Sequence, residues 1–146
     1  ADIAGYALEQ VADLPGIVVR ASGRAVTPAH FAGIDVRGQA VLVHTGWDVH
    51  WRSARYGRGN PYLSADAARH LVAAGAALVG IDSLNIDGTG EPTRPVHSTL
   101  LGAEIPIIEH LTGLDALPAA GFTFTAVPPK IEGAGTFTVR AFATVA

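Results

Sequence analysis

Ser64-Ala65-Asp66-Ala67-Ala68-Arg69-His70-Leu71-Val72-Ala73-Ala74-Gly75-Ala76-Ala77-Leu78-Val79-Gly80-Ile81-Asp82 reads as a helix that runs almost directly into a buried strand. Ser64 supplies the small hydroxyl that accepts an N–H of the first turn, and Asp66 sets a carboxylate at the positive end of the helix dipole. Ala67, Ala68, Leu71 and Val72 recur on one face, Leu63 can staple over the first turn, and Gly75 ends the helix. Ala76 to Ile81 is apolar without alternation, as in strands covered on both faces. Ala40 to Val43, after the Arg37-Gly38 turn, has the same character. Strand, helix and strand in this order predict one right-handed βαβ unit.

Outward from that unit the pattern changes. Asp2 to Leu14 predicts a helix, with Ile3, Tyr6, Ala7, Gln10 and Val11 near one face and Pro15-Gly16 as its stop. Ile17-Val18-Val19 is a short β-branched strand. Thr27 before Pro28 opens a short helix through Phe31 that Gly33 ends, with His30 half-exposed on it. Asn85 to Pro95 is loop, with Asp87-Gly88 and Gly90 as turn residues. Thr112 to Leu117 reads as a short helix stopped by Pro118. Phe122 to Thr125 and Thr136 to Val145 alternate with period two, predicting strands that pair antiparallel across the Pro128-Pro129 and Gly133 to Gly135 loop. The expected fold is α/β: one domain over residues 1–146, with a mixed sheet, one βαβ unit and C-terminal antiparallel strands.

Composition excludes several classes. With 49% hydrophobic and 16% charged residues in 146, the chain has enough apolar side chain for a core and is not of disordered type. A net charge of −3 argues against nucleic acid or an anionic membrane as partner. No cysteine is present, so disulfides and thiolate metal sites are impossible. Neither an apolar run of spanning length nor a basic-then-apolar opening segment occurs, and the cytoplasm is the expected compartment. There is no Gly-x-Ser-x-Gly elbow, and Gly57-Arg58-Gly59-Asn60 lacks the strand-turn-helix setting of a phosphate loop.

Chemistry concentrates between Pro95 and His110. His97 stands at the entrance of a short helical turn read as beginning at Ser98, and Glu109 follows twelve positions later, after the run Ile105 to Ile108. A loop, a turn and a short strand would fold the two together, and an imidazole nitrogen with a carboxylate oxygen suits Zn or Mn. The alternative is a histidine at a helix start and a surface glutamate. His110 follows Glu109 directly, and on a strand it would face the other way. Thr45-Gly46-Trp47-Asp48 lies at the C-terminal end of its strand, where open α/β sheets put ligand-contacting loops. Trp47 would wall a substrate pocket or belong to the core. Asp82, ending the next strand, would cap a turn or join the site. His44 is read as packed rather than ligating. The long connection Val49 to Tyr62, with Trp51, Tyr56 and three arginines, suits an oligomer rim or an active-site lid.

His97-x-x-Leu100-Leu101-Gly102-x-x-Ile105-Pro106-Ile107-Ile108-Glu109 resembles the cyclase family, metal-dependent hydrolases that include bacterial-type kynurenine formamidase and isatin hydrolase. Val41 to Asp48, Asn60 to Leu63, Leu78 to Ser83, Leu111 to Pro118 and Lys130 to Gly133 are similar in the same order. The resemblance implies a swivelling β/β/α fold, hydrolysis of an amide or lactam bond, a homo-oligomer, and His97 and Glu109 as the later metal ligands. The family's earlier His-x-Gly-Thr-His-x-Asp segment does not occur in these residues. Two expectations follow: a hydrolase seen as the C-terminal portion of a longer family member, or a non-catalytic binding or assembly subunit in which the metal is absent.

Overall fold

The computed structural model describes residues 2–146. Eight strands and two helices follow one another as β1 (Leu14–Arg20), β2 (Ala25–Val26), β3 (Ala40–His44), β4 (Tyr62–Leu63), α1 (Ala65–Ala74), β5 (Leu78–Ile81), α2 (Pro95–Gly102), β6 (Ile107–Ile108), β7 (Phe122–Thr125) and β8 (Phe142–Val145). Six of the strands form one mixed sheet in the order β6-β5-β3-β1-β7-β8, while β2 and β4 make a separate pair. From β6 to β1 the neighbours are parallel; β1 to β7 and β7 to β8 are antiparallel. The α/β class and the mixed sheet expected from the sequence are both present.

The expected βαβ unit is β3, α1 and β5. β3 and β5 pair in parallel from Ala40↔Leu78 to Val43↔Ile81, with α1 between them in the chain. Ser64 Oγ accepts the Ala67 N–H at 3.1 Å, and Gly75 closes α1 at φ 83, a left-handed conformation that glycine adopts without a Cβ clash. Alternate residues of β3 enter two cores. Val41 and Val43 join Leu71 of α1 and Val96 and Leu100 of α2. Leu42 joins Leu78, Leu111, Leu114 and the two phenylalanines of β7. A strand covered on both faces has no polar side, which is why Ala40 to Val43 is apolar throughout.

Four local expectations need correction. Asp2 to Leu14 is not one helix: Ile3–Gly5 and Leu8–Gln10 are single 3-10 turns, separated by extended backbone at Tyr6 and Ala7. Pro15-Gly16 lies within β1, where Gly16 leaves room for the ring of Phe122 on β7. The helix near Ser98 begins earlier, at Pro95, so His97 sits inside its first turn. Thr112 to Leu117 contracts to a 3-10 turn, Leu114–Ala116, and only Phe142–Val145 of the alternating C-terminal run is strand. β7 has four residues, and Phe122↔Val145 to Thr125↔Phe142 uses all of them, leaving Thr136 to Ala141 without a partner. No helix among the described residues is long and apolar enough to cross a membrane.

Candidate functional site

One carboxylate organises the entrance to α2. Arg94, preceding the helix, provides no side-chain cap, and Pro95 has no N–H to satisfy. Asp87, from the loop after β5, supplies the cap instead. Its Oδ1 accepts the Val96 N–H at 2.8 Å and its Oδ2 accepts the His97 N–H at 3.0 Å. Oδ2 also meets His97 Nδ1 at 2.7 Å. Asp87 is only 1% exposed, so this ionic cap is shielded from water and fixes the imidazole's orientation. By sequence, Asp87 has the character of a turn residue. Its local signal is that of a turn, and the contact with a helix beginning eight residues later depends on how the loop closes.

The outer nitrogen of the ring, Nε2, lies 3.0 Å from Glu109 Oε1. Glu109 directly follows β6, and its Oε1 also accepts the Ile86 N–H at 3.0 Å. Thus β6 delivers Glu109, the β5–α2 loop delivers Asp87, and α2 delivers His97 between them. The His97 side chain is 14% exposed and that of Glu109 25%, so the contact opens toward solvent while Asp87 stays behind it. Burial pulls the His97 pKa down, but the bonds to Glu109 and then Asp87 outweigh it, and the net shift is upward from 6.5. Burial likewise raises Glu109, yet the His97 bond and the Ile86 N–H prevail and bring it below 4.5.

This donor set fits Zn or Mn in kind. A histidine that gives one nitrogen to a buried carboxylate and turns the other outward beside a second carboxylate has the arrangement found behind metal-bound imidazoles. The number of donors falls short. Among the described residues no group of three or more His, Asp and Glu side chains converges to hold a metal ion, whereas a catalytic zinc takes three protein ligands. His97 and Glu109 are brought together; His110 is not part of the pair. At φ 62 its backbone leaves the strand conformation, and its Nδ1 lies 3.0 Å from the Tyr56 hydroxyl.

The remaining expected site residues occupy the neighbouring strand ends. Asp82 is fully buried and accepts the Thr45 N–H at 2.8 Å, the Thr45 hydroxyl at 2.6 Å and the Gly46 N–H at 2.8 Å. It therefore braces the loop after β3, rather than a turn of its own. Trp47 is half-buried on that loop and donates its indole N–H to the Tyr56 carbonyl at 2.8 Å. His44 is half-buried, with Arg20 reaching its Nδ1 at 2.6 Å and its Nε2 4.0 Å from Asp82 Oδ2.

Three comparisons bear on this arrangement. Residues 2–88 match the cyclase family model, described as "Putative cyclase". Kynurenine formamidase of Sphingopyxis alaskensis is 32% identical over 79 residues, which cover 54% of this chain and 37% of that protein. Isatin hydrolase A of Labrenzia aggregata, solved bound to benzyl benzoate, superimposes with a TM-score of 0.89 at 25% identity, covering 99% of this chain and 65% of its own. A solved potential metal-dependent hydrolase with cyclase activity reaches a TM-score of 0.77 at 26% identity, over 94% of this chain and 66% of that one. This chain thus spans less than two thirds of the length of the first relatives it matches.

Proposed function

Since this chain belongs to the cyclase family, we propose that it takes part in metal-dependent hydrolysis of an amide or lactam bond in a small molecule. The observation that carries the reading is His97 held between Asp87 and Glu109, with Nδ1 and Nε2 each on a carboxylate oxygen at 2.7 and 3.0 Å. His97 Nε2 and Glu109 would contribute two donors to the ion, Zn or Mn. Such an ion acidifies water and polarises an amide carbonyl.

The chain's own residues have definite tasks in that scheme. Asp87 keeps the Nδ1 proton, so Nε2 is the nitrogen that gives up its proton to become a ligand. The Ile86 N–H holds Glu109 Oε1 in place as that proton leaves. Asp82 keeps Thr45 and Gly46 fixed, and with them Trp47, which walls the substrate side. Water adds across the C–N bond, leaving a carboxylate and an amine. We place the protein in the cytoplasm as a homodimer or larger homo-oligomer. The relatives' names carry nothing for a non-catalytic role.

The test supplies the purified protein with Zn or Mn and follows an aryl formamide and an aryl-fused lactam by chromatography. Turnover is expected to depend on the added metal and to vanish, with bound metal, in His97→Ala and Glu109→Ala. Metal stoichiometry unchanged in both variants would overturn the assignment of the ligands.

A further inference from the structure

A second cluster borders the His97–Glu109 pair, and its Trp51, Tyr56 and His110 have no part in the hydrolysis just described. The loop after β3 forms two 3-10 turns, Trp47–His50 and Ala54–Gly57, and is tied down at its base. The Trp47 indole N–H bonds to the Tyr56 carbonyl, Asp48 accepts the Gly113 N–H at 3.0 Å, and the Tyr56 hydroxyl meets His110. Tyr56 is 6% exposed, so a buried hydroxyl makes its bond to the residue next to Glu109. His110 is held at φ 62 while its N–H bonds to Ser83 O at 3.0 Å. A left-handed backbone at a non-glycine residue is uncommon and clusters at ligand sites. It also breaks strand alternation, so the expectation that His110 faces away from Glu109 no longer applies.

The bonding fixes which way the imidazole works. Burial, and then the charges of Asp82, Asp48 and Glu109, push the Tyr56 hydroxyl up to about 12, so it remains an O–H donor at neutral pH. With the Tyr56 O–H donating to Nδ1, the His110 proton sits on Nε2, the ring nitrogen turned away from Tyr56. Among the described residues nothing accepts from Nε2, and His110 is exposed. Trp51 packs edge-on against Tyr56 at 5.1 Å and lies 6.0 Å from the His110 ring, yet stays 48% exposed. An anchored indole and a directed N–H donor are therefore set one ring-width apart. A planar ring suits the first and a carbonyl oxygen the second.

We propose that Trp51 and His110, the latter oriented by Tyr56, are the specificity-determining contacts for a planar aryl carbonyl compound entering beside Glu109. The proposal rests on the hydrolase reading of the His97–Glu109 pair for what happens to that compound. Trp51 takes the ring, His110 Nε2–H takes the carbonyl oxygen, and Tyr56 acts only through His110.

Binding of benzamide to metal-free protein, followed by tryptophan fluorescence and calorimetry, tests this apart from turnover, with cyclohexanecarboxamide as the non-planar comparator. Benzamide is expected to bind at least tenfold more tightly than the comparator. Trp51→Ala should abolish that preference. His110→Asn, which tolerates the left-handed backbone, should weaken both amides about tenfold. Tyr56→Phe keeps the buried ring, so the fold persists; nitrogen NMR of His110 should then show mixed tautomers in place of Nε2–H alone. Equal affinity for the two amides, or benzamide affinity unchanged in both Trp51→Ala and His110→Asn, would overturn the proposal even if metal-dependent turnover were intact. Ring preference without any turnover would uphold these contacts and remove the hydrolase reading instead.

Discussion

Asp87 joins three donors with one carboxylate: two N–H groups of the first turn of α2 and the ring of His97. Asp87→Ala strands buried donors and should cost about 2–3 kcal/mol by urea denaturation; Asp87→Asn, which keeps one acceptor, should lose less. The metal-free His97–Glu109 contact should also leave a mark on stability against pH. The raised His97 pKa means its contribution is complete below 6.5 and is lost as pH rises through the folded value. The lowered Glu109 pKa means its contribution is present above 4.5 and is lost as pH falls through the folded value. Both are therefore in force between about 4.5 and 6.5. Melting temperature across this range should show a maximum that Glu109→Gln flattens, and an unchanged profile would rule the contact out as a stabiliser. The twelve-residue spacing of His97 and Glu109 could be read because one short helix and one short strand are enough to close it. Asp87 and the Tyr56–His110 bond could not, since each depends on how a loop lands against a segment that the sequence does not mark as its partner.

At the level of elements, α1 was legible because its signals are local and agree: Ser64 as cap, an apolar face, and Gly75 at φ 83. Ser64→Ala should lower stability by about 1 kcal/mol, with helix content nearly unchanged by circular dichroism. The opening segment misled for the converse reason. Its helical spacing is real, but Pro15-Gly16, taken as a stop signal, belongs to a strand whose need for glycine comes from Phe122, more than a hundred residues away. A Cβ at position 16 would collide with that ring. Gly16→Ala should therefore destabilise by about 1–3 kcal/mol, as overpacked cores do. Combining it with Phe122→Leu should recover part of the loss; strict additivity of the two changes would show that they do not meet. The end of the chain was half legible, since alternation marks a possible strand but says nothing of how long its partner is.

Across the whole molecule, the sheet ends at β8, where Phe142 and Val145 are both more than half exposed, and Phe137 precedes them equally open. Such surface is commonly covered by another subunit. A homodimer is expected by light scattering at micromolar concentration, and a monodisperse monomer at high concentration would count against it. β1 is the strand on which parallel and antiparallel halves of the sheet meet, with β3 on one side and β7 on the other. The two neighbours emerge from the ribosome at very different times. β3 follows within a few tens of residues, whereas β7 begins at Phe122. At roughly 5–20 residues per second, the open flank of β1 waits on the order of ten seconds for its second neighbour. Long-range pairing of this kind folds slowly and leaves a sticky edge in the interval. Nascent chains arrested after Leu111 should accordingly be cut by protease near Leu14–Arg20 and held by chaperones, and both sensitivities should disappear once Thr125 has cleared the exit tunnel.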